Sequence, residues 1–334
     1  MKAVKVRNPA SLDSLDVVEM DEPRDPAAGE IKVKLHASSL NFHDYAVVAG
    51  MIPTDDGRIP LSDGAGEVIA VGDGVEDFAV GDRVISTFFP HWVDGDSPLG
   101  SFEGTPGDGI DGFAREMVTK PTSAFTHAPE SLDFVEAATL PCAGVTAWRA
   151  LMEDGKMQPG QTVLIEGTGG VSLFALLFAK AAGAKVIATS SSDEKLETVR
   201  KLGADHTINY KSNEKWGEEA YDWSGGGVDH VVEVGGPGTL NQAISAIRAG
   251  GHIHLIGILT GMSGEVQTAA LMRKMGRLQG LTVGSHAMQR RMIAAIDANG
   301  LKPQISDRFA LGNLADAFRH EEDGGHLGKI AIEI

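Results

Sequence analysis

The chain has 334 residues, with 29 Lys and Arg against 46 Asp and Glu, for a formal net charge of −17. That length suits two domains of roughly 150 residues each, and the acidic balance argues against a nucleic-acid backbone or an anionic membrane as the main partner. Hydrophobic residues make up 42% of the chain, enough for a buried core, and the single cysteine, Cys142, rules out an intrachain disulfide or a metal centre built from several thiolates.

In chain order, residues 1–7 (MKAVKVR) alternate apolar and charged. They read as a strand and lack the apolar run of a secretory signal, so a cytoplasmic location is expected. Residues 31–37 (IKVKLHA) alternate cleanly, and 64–72 and 81–86 are apolar runs bounded by glycine, all strand patterns. Residues 93–112 are rich in Gly, Asp and Pro and are expected to form a surface loop. Residues 132–140 look helical. After Pro159 and Gly160 the chain settles into strand–helix alternation. Strands are expected at 162–166, 185–189, 206–209, 228–234, 252–256 and 281–283, with helices at 171–182, 193–202 and 239–249. Such alternation implies a doubly wound parallel sheet with helices on both faces, an α/β architecture. A helix at 289–298 and an alternating strand at 329–334 follow. The longest apolar stretch, 171–179, stops at Lys180, too short to span a bilayer.

The strand at 162–166 leads into Gly167-Thr168-Gly169-Gly170-Val171-Ser172 and then directly into a helix. This is close to G-x-G-x-x-G. Gly167 would make the tight turn, and Gly169 would let the backbone approach a pyrophosphate. Gly170 and Val171 would present N–H groups at the helix N-terminus. Serine replaces the third glycine and is small enough to keep helix and strand close. An NAD site commonly carries an acidic residue about 20 residues on. Here that place reads Thr189-Ser190-Ser191-Ser192, followed by Asp193 at a helix start and Lys195. Hydroxyls and a lysine suit a 2′-phosphate, since a charge-assisted hydrogen bond contributes about 1.5–3 kcal/mol. The expected cofactor is therefore NADP(H). Ser192 or Asp193 can also serve simply as a helix cap.

Six segments together resemble the medium-chain dehydrogenase/reductase superfamily, on its zinc-free quinone oxidoreductase-like branch. They are residues 39–44 (SLNFHD), 63–68 (DGAGEV), 80–84 (VGDRV), 140–148 (LPCAGVTAW), the glycine fingerprint, and 202–205 (LGAD). The resemblance implies a GroES-like β-rich catalytic domain over 1–141 and 285–334, a Rossmann domain over 142–284, and an active site in the cleft between them. It also implies a homodimer. The positions that hold catalytic zinc in alcohol dehydrogenases of the superfamily read Asn41, Ser62 and Cys142, so no metal is expected. His43 and His91 lack the spacing of ligands.

By the same resemblance, Asn41 and Thr146 would approach the nicotinamide, and Lys195 and Tyr210 would contact the 2′-phosphate beside Ser190 and Ser191. Gly235, Ile256 and Gly257 would pass under the cofactor, with Ser285 and Lys329 near its nicotinamide end. Tyr210 also reads as a strand terminus, and Lys329 as a surface charge. Tyr45 and His43 stand near Asn41 as candidate proton donors, because residues 51–53 (MIP) occupy the place where related enoyl reductases carry a tyrosine. Phe89 and Trp92 would line a wall for a planar substrate or else pack the core. The expected activity is NADPH-dependent hydride transfer to a quinone or an α,β-unsaturated carbonyl. An NADP-dependent alcohol dehydrogenase or carbonyl reductase, and a non-catalytic NADPH-binding protein, remain alternatives.

Overall fold

A computed structural model describes residues 1–98 and 102–334. The chain opens with β1 (Lys2–Val6), paired antiparallel with β2 (Leu15–Glu19). Then come β3 (Glu30–Ser39), α1 (Phe42–Val48), β4 (Ala65–Val71), β5 (Arg83–Ser86), β6 (Met117–Pro121), β7 (Phe125–His127) and α2 (Phe134–Ala137). Wide helical turns over Leu140–Gly144 and Arg149–Asp154 flank α3 (Val145–Trp148). Strand–helix alternation follows: β8 (Thr162–Glu166), α4 (Gly170–Ala181), β9 (Lys185–Ser190), α5 (Asp193–Lys201), β10 (His206–Asn209), α6 (Trp216–Trp223), β11 (Val228–Glu233), α7 (Leu240–Ala246), β12 (Ile247–Leu255), α8 (Thr268–Arg273) and β13 (Arg277–Gly280). The chain ends with α9 (His286–Asn299), β14 (Ile305–Ala310), α10 (Leu314–Glu322) and β15 (Lys329–Glu333).

Two compact units result: Met1–Val145 with Val283–Ile334, and Thr146–Thr282. The expected borders lay at 141/142 and 284/285. In the first unit the C-terminal strand returns to the N-terminal half. β15 pairs antiparallel with β3 in a sheet ordered β14-β15-β3-β4-β5-β7, with β6 also on β3. One core gathers Val4, Val6, Leu40 and Ile59 with Leu314, Phe318, Ile330 and Ile332, so residues about 300 positions apart share one apolar interior.

The second unit is a parallel sheet ordered β10-β9-β8-β11-β12-β13. Counted from β8, this is the order 3-2-1-4-5-6 of a dinucleotide-binding fold, with the switch between β8 and β11. All five residues of β8 are buried, as a central parallel strand requires. Leu164, Ile187, Val231, Ile244 and Ile253 form its core with Trp216 from α6.

Three expectations need correction. Residues 281–283 are not a strand. The sixth strand is β13, four residues earlier, and Val283 takes φ +45°, which ends any extended run. The helix expected over 239–249 stops at Ala246, because Ile247 is drawn into β12 opposite Val228. The loop over 93–112 is only partly on the surface. Its first residues are exposed, but Thr105–Gly107 are buried, and Gly112 and Phe113 donate backbone hydrogen bonds to Ile59 O and Leu61 O at 2.7 and 2.8 Å. Residues 99–101 of that loop lie outside the described residues.

Candidate functional site

The end of β8 builds the first candidate site. Gly167 sits at φ +71°, a conformation only glycine adopts cheaply. Gly169 is the N-cap of α4 and supplies no side-chain cap. A Cβ placed on Gly167 or Gly169 would meet nothing within 4 Å, so the space above this turn is open. Gly170 and Val171 form the first turn of α4, and the first intrahelical bond from a later residue is Leu173 N to Gly169 O at 3.0 Å. The earlier N–H groups have no carbonyl inside the helix and, with the helix dipole, suit an anion. Ser172 does more than fit: its hydroxyl donates to Glu166 O at 2.6 Å and ties helix to strand. The open turn, the helix N-terminus and the tethered third position fit a dinucleotide pyrophosphate.

At the end of β9, Ser190 is buried and its Oγ accepts from Ser192 N at 3.3 Å. Ser191 is half-buried beside it. Ser192 caps α5 by accepting from Lys195 N. Lys195 is half-buried, and desolvation lowers its ammonium pKa. Asn209 pairs with Ser190 across the β9–β10 ladder, which brings Tyr210, 40% exposed, next to the serines. Asp193, which follows the serines, accepts from Asn209 Nδ2 of β10 at 2.7 Å.

Beneath the fingerprint lies a pair of buried acids that the sequence reading missed. Glu233 ends β11, and its Oε1 accepts from Gly235 N, Gly236 N and Thr239 Oγ1 at 2.8, 2.8 and 2.6 Å. The Gly235 N–H is therefore engaged within the protein. Burial, and then the charge of Glu233, push the Glu166 carboxyl well above its ordinary range. Ile256 and Gly257 donate their backbone N–H groups to Glu233 O, and a Cβ on Gly257 would lie 2.0 Å from Val234 O. An acid at the end of each of two neighbouring buried strands was the available signal.

The first unit holds a second polar cluster, buried almost completely. Asn41 precedes α1 and spends its amide inside the protein. Its Nδ2 donates to Asp63 Oδ2 at 2.8 Å and Asp44 Oδ2 at 3.1 Å, and its Oδ1 accepts from Lys329 Nζ at 2.5 Å. Lys329 also donates to Leu40 O, and its Nζ stands 3.8 Å from Asp63 Oδ2. At 3% exposure Lys329 is no surface charge. Asp63 also accepts from Ser39 Oγ at 2.6 Å and from the backbone N of Cys142 at 3.0 Å. Asp44 accepts from Ser62 N at 2.8 Å. Burial raises Asp44 and Asp63 to about 6 and Glu321, on α10, to about 7, despite the opposing charge of Lys329. Asp44 and Asp63 stood in quoted motifs without an assigned role, and Glu321 carried no signal at all.

This donor set does not fit Zn²⁺. Asn41 points amide hydrogens at two carboxylates, Ser62 offers a neutral hydroxyl, and burial pushes the Cys142 thiol up, away from the thiolate a metal needs. The cation of this cluster is already present as the Lys329 ammonium.

The remaining candidates are dispersed. Tyr45 does not join Asn41. Its hydroxyl donates to Glu322 Oε1 at 2.7 Å, and that bond raises its pKa, so it is a poor proton donor there. His43 stacks on Phe102 with centroids 5.6 Å apart, and its Nε2 lies 3.5 Å from Asp108 Oδ2. Burial lowers its pKa. Phe89 and Trp92 are each 2% exposed and pack with Phe88 as core, so they present no open wall. Phe102, at 41%, is the exposed ring of that cluster. Thr146 is buried on α3. Ser285 is buried and caps α9 by accepting from Met288 N.

Comparison with known proteins agrees with this architecture. Residues 27–130 match the family model of the alcohol dehydrogenase GroES-like domain, and residues 170–298 that of the zinc-binding dehydrogenase. A zinc-type alcohol dehydrogenase-like protein of Schizosaccharomyces pombe is 40% identical, over 97% of this chain and 96% of its own length. A crystallised protein of Sinorhizobium meliloti 1021 described as an alcohol dehydrogenase superposes with a TM-score of 0.93 at 39% identity, covering 100% and 98% of the two chains. An NAD-dependent alcohol dehydrogenase gives 0.90 at 30% identity and the quinone oxidoreductase of Coxiella burnetii 0.80 at 25%, each over 100% of this chain and 100% and 99% of its own. A GroES-like domain, a Rossmann sheet with its glycine turn at the switch point, and relatives matched along nearly their whole length show that the chain belongs to the medium-chain dehydrogenase/reductase superfamily of nicotinamide-dependent oxidoreductases.

Proposed function

We propose that this protein transfers hydride from NADPH to a quinone or an α,β-unsaturated carbonyl, without a catalytic zinc. The observation that carries this reading is the buried cluster of Asn41, Ser62, Asp44, Asp63 and Lys329, in which the Asn41 amide is engaged by Asp44, Asp63 and Lys329 rather than turned to a metal. Reducing a simple ketone calls for a Lewis acid or a strong donor aimed at the developing alkoxide. A conjugated acceptor spreads that charge over its own framework and needs less help.

When bound, the nicotinamide supplies the hydride. The protein's own residues hold and orient. The first-turn N–H groups of α4, at Gly170 and Val171, bind the pyrophosphate, and the open space at Gly167 and Gly169 admits it. Ser190, Ser191, Lys195 and Tyr210 receive the 2′-phosphate. The hydroxyls at the end of β9, with Asp193 Oδ1 engaged by Asn209 Nδ2, support NADP over NAD. Rate then rests on holding two planar partners in register and excluding water.

The names of several relatives favour a second reading, an alcohol dehydrogenase. One experiment separates the two. Chelator-treated protein is given NADPH and, in turn, a benzoquinone, a cyclic enone and the saturated ketone of that enone. Oxidation of NADPH with the quinone or enone alone is the expected result. Turnover of the ketone alone would overturn the proposal.

A further inference from the structure

Neighbouring strands of the Rossmann sheet turn an unusual set of side chains to one face. His230 on β11 stands opposite His252 on β12, and His254 lies two residues further along β12. Partners across a parallel ladder share a face, as do residues i and i+2, so all three imidazoles lie on the same side. Gln279 on β13 pairs with His254 and extends the row. The chain after Arg149–Asp154 covers it, since a Cβ on Gly155 would lie 3.2 Å from His230 Cε1. The three histidines are 4%, 5% and 0% exposed.

Hydrogen bonds around the rings assign their protons. Gln161 Oε1 accepts from Gln158 N at 2.8 Å, which fixes the amide with its oxygen toward His230 Nε2 at 3.1 Å. His230 Nε2 therefore carries the proton and Nδ1 the lone pair, 3.3 Å from His254 Nε2. Gln279 donates its Nε2 to Asp154 Oδ2 and hydrogen-bonds His252, while His252 Nε2 has no partner. The His252 proton is thus on Nδ1, and its Nε2 lone pair is orphaned. His254 Nδ1 is orphaned too. Buried acceptors left unpaired are costly, and here two of them sit on rings whose centroids are 3.8 Å apart. Each ring offers one nitrogen, and the three lie within 4.8 Å of one another.

We propose that His230 Nδ1, His252 Nε2 and His254 Nε2 form a site for a divalent transition metal of the Zn²⁺ or Co²⁺ type, wholly within the Rossmann unit. The 3.3 Å between His230 Nδ1 and His254 Nε2 is about the ligand separation on a tetrahedral ion with bonds of about 2.0–2.1 Å. Gln161, and Gln279 backed by Asp154, hold the opposite N–H groups of His230 and His252, the outer support that metal-bound imidazoles characteristically have. On binding, the proton of His254 moves to its Nδ1, and the ion links β11 to β12. Burial keeps the three rings neutral, with pKa values of about 4, 4 and 2 for His230, His252 and His254, so protons do not compete at neutral pH. The site shares no residue with the cluster at Asn41, Ser62 and Cys142.

The test is a Co²⁺ titration of the chelator-stripped, folded chain. The expected result is one equivalent bound with the visible bands of a near-tetrahedral ion, displaced by Zn²⁺, and a raised melting temperature. His252→Gln should weaken binding at least tenfold. Gln161→Ala, which leaves the three ligands in place, should weaken it by about 10–100-fold, in the range for lost outer-shell support. Cys142→Ser should bind as the wild type does. Absence of uptake by the folded wild-type chain overturns the proposal, as does uptake unchanged by His252→Gln or abolished by Cys142→Ser.

Discussion

Lys195 and Asp44 show how single residues divide the work between cofactor choice and stability. Lys195 stands in the first turn of α5, directly after Ser190, Ser191 and Ser192. Replacing it with Ala should raise KM for NADPH by tenfold or more, since a lost charge-assisted bond costs about 1.5–3 kcal/mol. KM for NADH should change little, and steady-state kinetics with both cofactors check this. Equal effects would sink the 2′-phosphate assignment. Asp44 behaves differently because burial raises it to about 6. An acid whose folded pKa exceeds its unfolded value stabilises the fold fully below the unfolded pKa of 3.8 and loses that contribution as pH rises through about 6. His230, His252 and His254, pushed down, act in the opposite direction below pH 6.5, so the wild-type melting curve alone decides nothing. The difference does: Asp44→Asn should gain stability relative to wild type between pH 5 and pH 8. Thermal melts that track the wild type at both pH values would contradict the burial argument.

At the scale of the element, the glycines of the Rossmann unit separate into two kinds. Gly169 faces open space and has φ −79°, so an added methyl group meets no atom of the chain. Gly169→Ala should fold with a loss of at most about 1 kcal/mol, as expected for a cap change, while losing much of its NADPH affinity. Gly257 lies against β11, where a Cβ would stand 2.0 Å from Val234 O. Gly257→Ala should destabilise by about 1–3 kcal/mol or more. Paired melts with and without NADPH test both expectations, and equal destabilisation by the two would mean that the turn at Gly169 is structural only. The strand boundaries carry a related lesson. Residues 239–249 have helical spacing, yet Ile247 joins β12, because pairing with Val228 outweighs a weak local preference.

For the whole molecule, exposed apolar side chains occur on both units, and the three most exposed among the described residues, Met262, Met275 and Met272, lie in the segments between β12 and β13. Leu259, Met262, Met272 and Met275 are 60–85% exposed, and β13 is an edge strand. We propose that these side chains contribute to the interface of the homodimer that the family resemblance implies, since exposed apolar surface favours association. Light scattering at micromolar concentration should give twice the monomer mass, and Met262→Glu with Met275→Glu should lower it. A monomer in the wild type would refute the assignment. Among the described residues, no helix is long and apolar enough to cross a membrane.

Local chemistry was sufficient to locate the Rossmann unit and its glycine turn. A central parallel strand is largely apolar, as Val163-Leu164-Ile165 are, and a backbone at φ +71° favours glycine; both demands are written in adjacent residues. The residues at the positions that hold zinc in related dehydrogenases, Asn41, Ser62 and Cys142, could also be read off the sequence. The consequences of burial were not legible. Lys329 could be surface or interior until β15 was laid against β3. Phe89 and Trp92 read as a wall until packing closed over them. Asp44, Asp63, Glu321 and the three histidines acquire their meaning from neighbours tens to hundreds of positions away. Desolvation and hydrogen-bond closure depend on what surrounds a group in space, and only the tertiary structure supplies that.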